Sequence, residues 1–167
     1  MFYKPLILIV FFYFISLIQN SFLVHFSIFG VIPNLVLILV CLFIFFEKTQ
    51  TYYGLVSAVI GGFFLDIFSG SFIGISTLSL IIIYFLIKEI LCHLKDIPSK
   101  YLFLYFIIVL IFTMLFYELF FGLSSIFLNH SFPIYFGVCA FLVRIIYNLI
   151  IGLVFFYIFK RILIVKK

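Results

Sequence analysis

The chain has 167 residues, of which 68% are apolar, 23% aromatic and only 9% charged, and its mean hydropathy is +1.51. A soluble domain carries about 45–50% apolar and about 25% charged residues, so this composition excludes an ordinary soluble fold, a disordered chain and a disulfide-rich secreted module. The net charge of +5 is better explained by orientation in a bilayer than by nucleic-acid binding, since Lys and Arg collect on the cytoplasmic side of membrane proteins. The composition predicts an integral membrane protein.

Six apolar runs in chain order predict transmembrane helices, because a span needs about 20 such residues. The first run follows Lys4 and lacks the small-residue cleavage site of a signal peptide. We therefore predict that it stays in the protein as a transmembrane helix. The third and fourth runs are short, and the Ser and Gly of residues 66–71 between them favour a turn, which predicts a tight hairpin. The polar segment 88–100 is predicted to be a solvated loop. The predicted spans are 5–24, 26–46, 52–68, 72–87, 101–123 and 134–159.

The basic residues predict the orientation of these spans. With the N-terminus inside, nine of the ten Lys and Arg residues fall on the cytoplasmic side, and the tenth, Arg144, lies within a span. We therefore predict an all-α integral membrane protein with a single polytopic domain over residues 1–167. It is expected to be a compact bundle of about six transmembrane helices with both termini cytoplasmic.

Two ionisable residues are predicted to lie near the middle of the membrane, Glu118 in the fifth span and Arg144 in the sixth. A charge at that depth costs about 2.5–3.5 kcal/mol on insertion scales, so each needs a partner or a function. The pair is either a substrate or proton site or a structural ion pair that locks two helices. The structural interpretation is favoured, because Asn148 lies one turn from Arg144 and offers the guanidinium a further hydrogen bond.

Small residues recur three or four positions apart along the third run, a spacing that lets two membrane helices approach closely. Asp66 follows them and has two interpretations that the sequence leaves open. It either caps the turn or the next helix, or it faces a partner. The candidate helix-packing or partner-binding residues are Gly54, Ser57, Ala58, Gly61, Gly62, Asp66, Ser69, Gly70 and Gly74.

No catalytic constellation is apparent in the sequence. Neither His nor Cys stands beside a Ser, Asp or Glu in a pattern suited to nucleophilic catalysis, and the cysteines lack metal-ligand spacing. A Walker loop and a glycine-rich nucleotide fingerprint are also absent. We therefore expect a protein that is not an enzyme, with no catalytic residues, no cofactor and no metal site.

The centre of the chain carries a motif. Pro33-Asn34-Leu35 opens an apolar span, the Gly54 to Gly62 helix runs into Leu65-Asp66-Ile67-Phe68-Ser69-Gly70, and Gly74 opens a further apolar helix. In this pattern, and in its length and spans, the chain resembles the rod shape-determining protein MreD family, whose members are small multi-pass proteins of the bacterial cytoplasmic membrane.

The resemblance implies a non-enzymatic component of the cell-shape (elongation) complex that directs peptidoglycan synthesis. Its expected partners are a bitopic MreC-like protein and, through it, an MreB-like cytoskeletal filament and peptidoglycan synthases, with no nucleic acid. The partner helix is expected to pack on the Gly54 to Gly62 stripe, with Asp66 meeting a partner outside. The alternative is a substrate-capturing membrane subunit of a vitamin-type transporter, which needs several polar groups converging on one outward cavity.

Overall fold

The computed structural model describes residues 3–47, 51–69, 72–93, 101–127 and 138–165. Within these ranges the chain is helical and contains no strand, apart from an isolated bridge between Ile28 and Val31. The α-helices are α1 (Tyr3–Leu17), α2 (Leu35–Phe45), α3 (Tyr53–Ser69), α4 (Ile75–His93), α5 (Leu102–Phe127) and α6 (Val138–Val165). A π-helical turn (Ile18–Phe22) and a 3-10 turn (Leu23–Phe26) extend α1.

By length and composition, four of the described helical segments are able to cross a membrane. They are Pro5–Phe26, Ile75–Cys92, Leu102–Leu123 and Ala140–Ile162. The other two helices, α2 and α3, are apolar but shorter, with 11 and 17 residues. The prediction of an all-helical membrane protein is confirmed at this level.

Within the second predicted span, 26–46, only the later part is α-helical. Residues 28–31 form a tight bridged turn in which Phe29 and Gly30 have φ angles of +52° and +74°, and Pro33 follows. The helix therefore begins only at Leu35, after Asn34 caps it by accepting a hydrogen bond from the Leu37 amide at 3.0 Å.

The shortened helix α2 is the core of the bundle. All of its residues except Phe43 are buried, and it packs against the other five α-helices. At 1.5 Å per residue it is only roughly 17 Å long, about half of a bilayer core. An apolar helix of this length is typical of a buried core element.

Three helices extend beyond their predicted ends. α4 continues through Lys88 to His93, where a loop was predicted, since Ile87 stays fully buried and Lys88 finds a partner across the bundle. α5 ends at Phe127 and α6 at Val165, each several residues later than predicted. A prediction from hydropathy places the end of a helix where the apolar run ends. The backbone hydrogen bonds of the helix continue beyond that point, so the observed helix is longer.

Candidate functional site

Asp66 lies at the C-terminal end of α3 and binds the first turn of α4. Its side chain is 1% exposed. One carboxylate oxygen accepts hydrogen bonds from the Gly74 amide (2.8 Å), the Thr77 amide (3.2 Å) and the Thr77 hydroxyl (2.8 Å). The other accepts from the Ser76 amide at 2.7 Å. A buried carboxylate at a helix N-terminus satisfies otherwise unpaired amides and complements the helix dipole.

Of the two open interpretations of Asp66, the geometry matches the cap. Both carboxylate oxygens are committed inside the chain, and Ser69 donates a hydrogen bond to the Asp66 carbonyl at 3.3 Å. Gly74 supplies a φ of +111°, which L side chains rarely adopt, and this conformation turns its amide toward the carboxylate. Gly70 lies outside the described residues.

Gly62 is the point of closest approach between α3 and α4. A Cβ atom built on it would stand 2.4 Å from the Thr77 Cα and 2.9 Å from the Thr77 backbone nitrogen. Only glycine permits this contact, and the contact holds the first turn of α4 against the Asp66 carboxylate. The hairpin predicted from the short third and fourth runs is therefore a closely packed unit.

The rest of the small-residue stripe also faces the interior of the chain. A Cβ on Gly61 would meet Val40 and Val36 of α2, and Ser57 and Ala58 are fully buried. The stripe is thus covered by the protein's own helices, so the expected packing of a partner helix onto it requires this bundle to open.

At the opposite end of the α3–α4 hairpin, Glu47 forms a second buried network that the sequence analysis missed. Its side chain is 2% exposed, caps α3 by accepting from the Gly54 amide at 2.8 Å, and pairs with Lys88 at 3.1 Å. Lys88 also donates to the Tyr84 hydroxyl at 2.7 Å and lies 5.1 Å from the centre of that ring. The pairing joins residues 41 positions apart, so no local pattern signals it.

Glu118 and Arg144 are brought together by the antiparallel helices α5 and α6. Arg144 donates to a Glu118 carboxylate oxygen at 2.5 Å, and their side chains are 34% and 16% exposed. Within the segments 102–123 and 140–162, both residues lie about one to one and a half turns from the same end. Both residues thus lie at the same level of the bundle, and their depth in a membrane stays a prediction.

Asn148 has a different partner from the one expected. Its side-chain oxygen accepts a hydrogen bond from the Asn34 amide at 2.7 Å, which ties α6 to the start of α2. That amide belongs to the first residues before a helix and has no backbone partner there. The Asn148 side-chain oxygen thus positions the start of α2. The side-chain NH₂ group of the same residue can still donate hydrogen bonds to another partner.

A cavity of about 600 Å³ opens beside the Glu118–Arg144 pair. It lies at the end of the bundle that carries the 28–34 turn and the Asp66 cap, and ligand pockets in proteins run from about 300 to 1,000 Å³. Its polar lining residues are Gln19, Asn34, Ser69, Tyr117, Glu118, Arg144 and Asn148. Ser69, Glu118, Arg144 and Asn148 are among the residues predicted from the sequence, whereas Gln19, Asn34 and Tyr117 join the site only in the structure.

The local structure explains how two of the missed residues reach the cavity. Gln19 lies in the π-helical turn that follows α1, and such turns are frequent at functional sites because they redirect a side chain. Its side-chain oxygen accepts from the Val36 amide at 3.2 Å. Tyr117 is held by a 3.0 Å hydrogen bond between its hydroxyl and that of Ser76, next to the Asp66 cap.

Breaking the Glu118–Arg144 pair on one side is expected to cost more than removing both charges. We expect Glu118→Gln and Arg144→Gln each to lower the free energy of unfolding by about 1–2 kcal/mol, because each leaves a charge without its partner in a low-dielectric site. The double variant is expected to recover about half of that loss. Equilibrium unfolding in bicelles, followed by circular dichroism, measures the coupling, and strictly additive losses would contradict it.

Comparison of the sequence with protein-family models, with curated proteins and with solved structures finds no match in any of the three. Functional inference therefore rests on the chain's own geometry and on the motif between Gly61 and Gly74.

Proposed function

We propose that the chain is a non-enzymatic, multi-pass component of the bacterial cell-shape complex in the cytoplasmic membrane. It assembles with an MreC-like bitopic protein and, through it, with an MreB-like filament and peptidoglycan synthases. The observation that supports this proposal is the α3–α4 hairpin. Gly62, Asp66 and Gly74, three of the residues that carry the family resemblance, meet where α3 joins α4: Gly62 approaches the Thr77 backbone, and Asp66 accepts from the Gly74 and Ser76 amides.

The proposal includes six spans with both termini in the cytoplasm, and the placement of charges supports this topology. Phe46 stacks on Phe159 with ring centres 6.5 Å apart, so Lys160 and Arg161 share the end of the bundle that holds Glu47 and Lys88. Arg144 lies at the other end. Basic residues concentrated at one end mark the cytoplasmic side, and α2 then crosses together with the turn that precedes it.

The partner helix is proposed to pack on an outward face, since the glycine stripe is occupied. Among the four long segments, those containing α1 and α6 bury the smallest share of their residues, 17% each, against 33% for α4 and 28% for α5. These two faces offer the largest contact area to a neighbouring membrane helix, where association depends on close packing.

The test is depletion of the protein in its native bacterium, with cell outline scored by microscopy and the proteins bound to a tagged copy identified by mass spectrometry. Loss of the normal outline together with recovery of an MreC-like protein is expected. We expect Val10→Trp on α1 or Val154→Trp on α6 to reduce that recovery at least fivefold, whereas Leu104→Trp on α5 serves as the matched control at a similarly exposed position. A normal outline without an MreC-like partner would refute the proposal.

A second candidate function is favoured by the cavity beside Glu118 and Arg144. A substrate-capturing transporter subunit needs several polar groups around one cavity, and seven polar side chains line this one. Recovery of an ATPase-bearing transporter with the tagged copy would support this function over the cell-shape role.

A further inference from the structure

We propose that the cavity binds a zwitterionic ligand of zero net charge that carries an apolar portion, with its oxyanion on Arg144 and its ammonium group on Glu118. This inference rests on the ligand-binding function given above as the second candidate, and it is independent of the cell-shape role. It names the chemical class of the ligand, which the cavity volume alone leaves open.

The charge balance of the site selects this class. Glu118 and Arg144 together carry no net charge, and they are the two charged residues among the described lining of the cavity. A ligand with a net charge would leave one charge of the pair uncompensated, which disfavours its binding in a partly enclosed space. A zwitterion gives each member of the pair an opposite charge and keeps the site neutral.

Two side-chain amides, those of Asn148 and Gln19, contribute hydrogen-bond donors to the lining of the cavity. The oxygens of Asn148 and Gln19 are already engaged, by the Asn34 amide at 2.7 Å and the Val36 amide at 3.2 Å. Each of these oxygens keeps one lone pair, whereas each NH₂ group offers two hydrogens, so the two residues present more donors than acceptors to a ligand. Donors favour the oxyanion of a zwitterion, and Asn148, one turn from Arg144 on α6, favours the placement of that group beside the guanidinium.

Most of the other lining residues are apolar, and they account for the apolar portion of the ligand. These apolar residues come from several elements and include Leu37 of α2, Leu65 of α3 and Phe141 of α6. A ligand composed only of charged groups would leave this surface in contact with water. Burial of apolar surface away from water is favourable, so an aliphatic or aromatic body adds affinity.

Two sources share this chemistry, a free amino acid with an apolar side chain and the headgroup of phosphatidylethanolamine. The full chain, purified in maltoside detergent, is titrated with L-leucine and with dihexanoyl-phosphatidylethanolamine, and binding is followed by isothermal titration calorimetry. N-acetyl-L-leucine and L-leucine methyl ester are the matched anionic and cationic probes, and dihexanoyl-phosphatidylglycerol is the anionic lipid control. We expect at least one zwitterionic probe to bind at least tenfold more tightly than its charged counterparts.

Variants then locate the binding. Ala140→Leu fills part of the cavity and is expected to weaken binding at least tenfold, whereas Leu142→Phe, on the exposed face of the same helix, is expected to leave it unchanged. The double variant Glu118→Gln, Arg144→Gln is expected to remove the preference for the zwitterion. Because the charged probes act on the unaltered protein, the preference is measured even if a variant fails to fold.

The outcomes separate this inference from the function on which it rests. Binding of L-leucine identifies a free solute and binding of the phosphatidylethanolamine identifies a lipid, and either result supports the zwitterion. Tighter binding of a charged probe would overturn the zwitterionic class while leaving ligand capture in place. Absence of binding by every probe, or binding that Ala140→Leu does not weaken, would overturn the site itself.

Discussion

Replacement of Asp66 by Ala is expected to lower the free energy of unfolding by about 3–4 kcal/mol. The variant removes four hydrogen bonds to the first turn of α4, three of them from backbone amides that have no other helix partner. Loss of an N-cap costs about 1–2 kcal/mol, and each buried donor left without an acceptor adds about 1–3 kcal/mol, part of which water recovers at the partly exposed Thr77. Equilibrium unfolding in bicelles measures the loss.

Two further variants separate the contribution of the Asp66 hydrogen bonds to stability from the contribution of side-chain volume. Asp66→Asn keeps the shape but places an NH₂ group where one oxygen accepted from donors, so a loss of about 2 kcal/mol is expected. Thr77→Val removes only the hydroxyl bond and is expected to cost about 1 kcal/mol. If Asp66→Asn were as stable as the original protein, the carboxylate would not be the group that holds α4, and a role facing a partner would regain support.

Composition and spacing predicted much of this architecture, and the reasons are physical. Long uncharged runs form helices in a membrane because their backbone groups have no other partners, and all six predicted runs contain a helix. Helical periodicity put Glu118 and Arg144 on facing sides of two antiparallel helices, and the structure brings them into contact. A turn signal at Ser69 separated two helices that hydropathy alone would join.

What the sequence did not reveal depends on backbone geometry and on contacts distant in the chain. Residues 27–34 lie in an uncharged run that hydropathy does not distinguish from helix, and the positive φ angles of Phe29 and Gly30 become evident only from the structure. The Glu47–Lys88 pair and the Asn34–Asn148 bond join residues 41 and 114 positions apart. The cavity combines residues from such distant segments, so its polar lining was underestimated.

The largest steric effect is expected at Gly62. Gly62→Ala places a methyl group 2.4 Å from the Thr77 Cα, and because the obstacle is backbone, α3 and α4 must move apart. Overpacking typically costs about 1–3 kcal/mol, so we expect a loss of about 2–3 kcal/mol for Gly62→Ala and at least about 4 kcal/mol for Gly62→Leu. The control is Gly122→Ala on α5, whose Cβ would meet nothing within 4 Å, and which is expected to stabilise the helix by about 0.5–1 kcal/mol.

The Gly62 contact and the Asp66 cap are expected to be energetically coupled. Separation of the helices carries the Gly74 and Thr77 donors away from the carboxylate, so Gly62→Ala already removes part of what Asp66→Ala removes. The double variant should therefore lose at least about 1 kcal/mol less than the sum of the single losses, since residues in one network are not additive. Additive losses would mean that the glycine contact and the carboxylate hold α4 independently, which the 2.4 Å approach at Thr77 argues against.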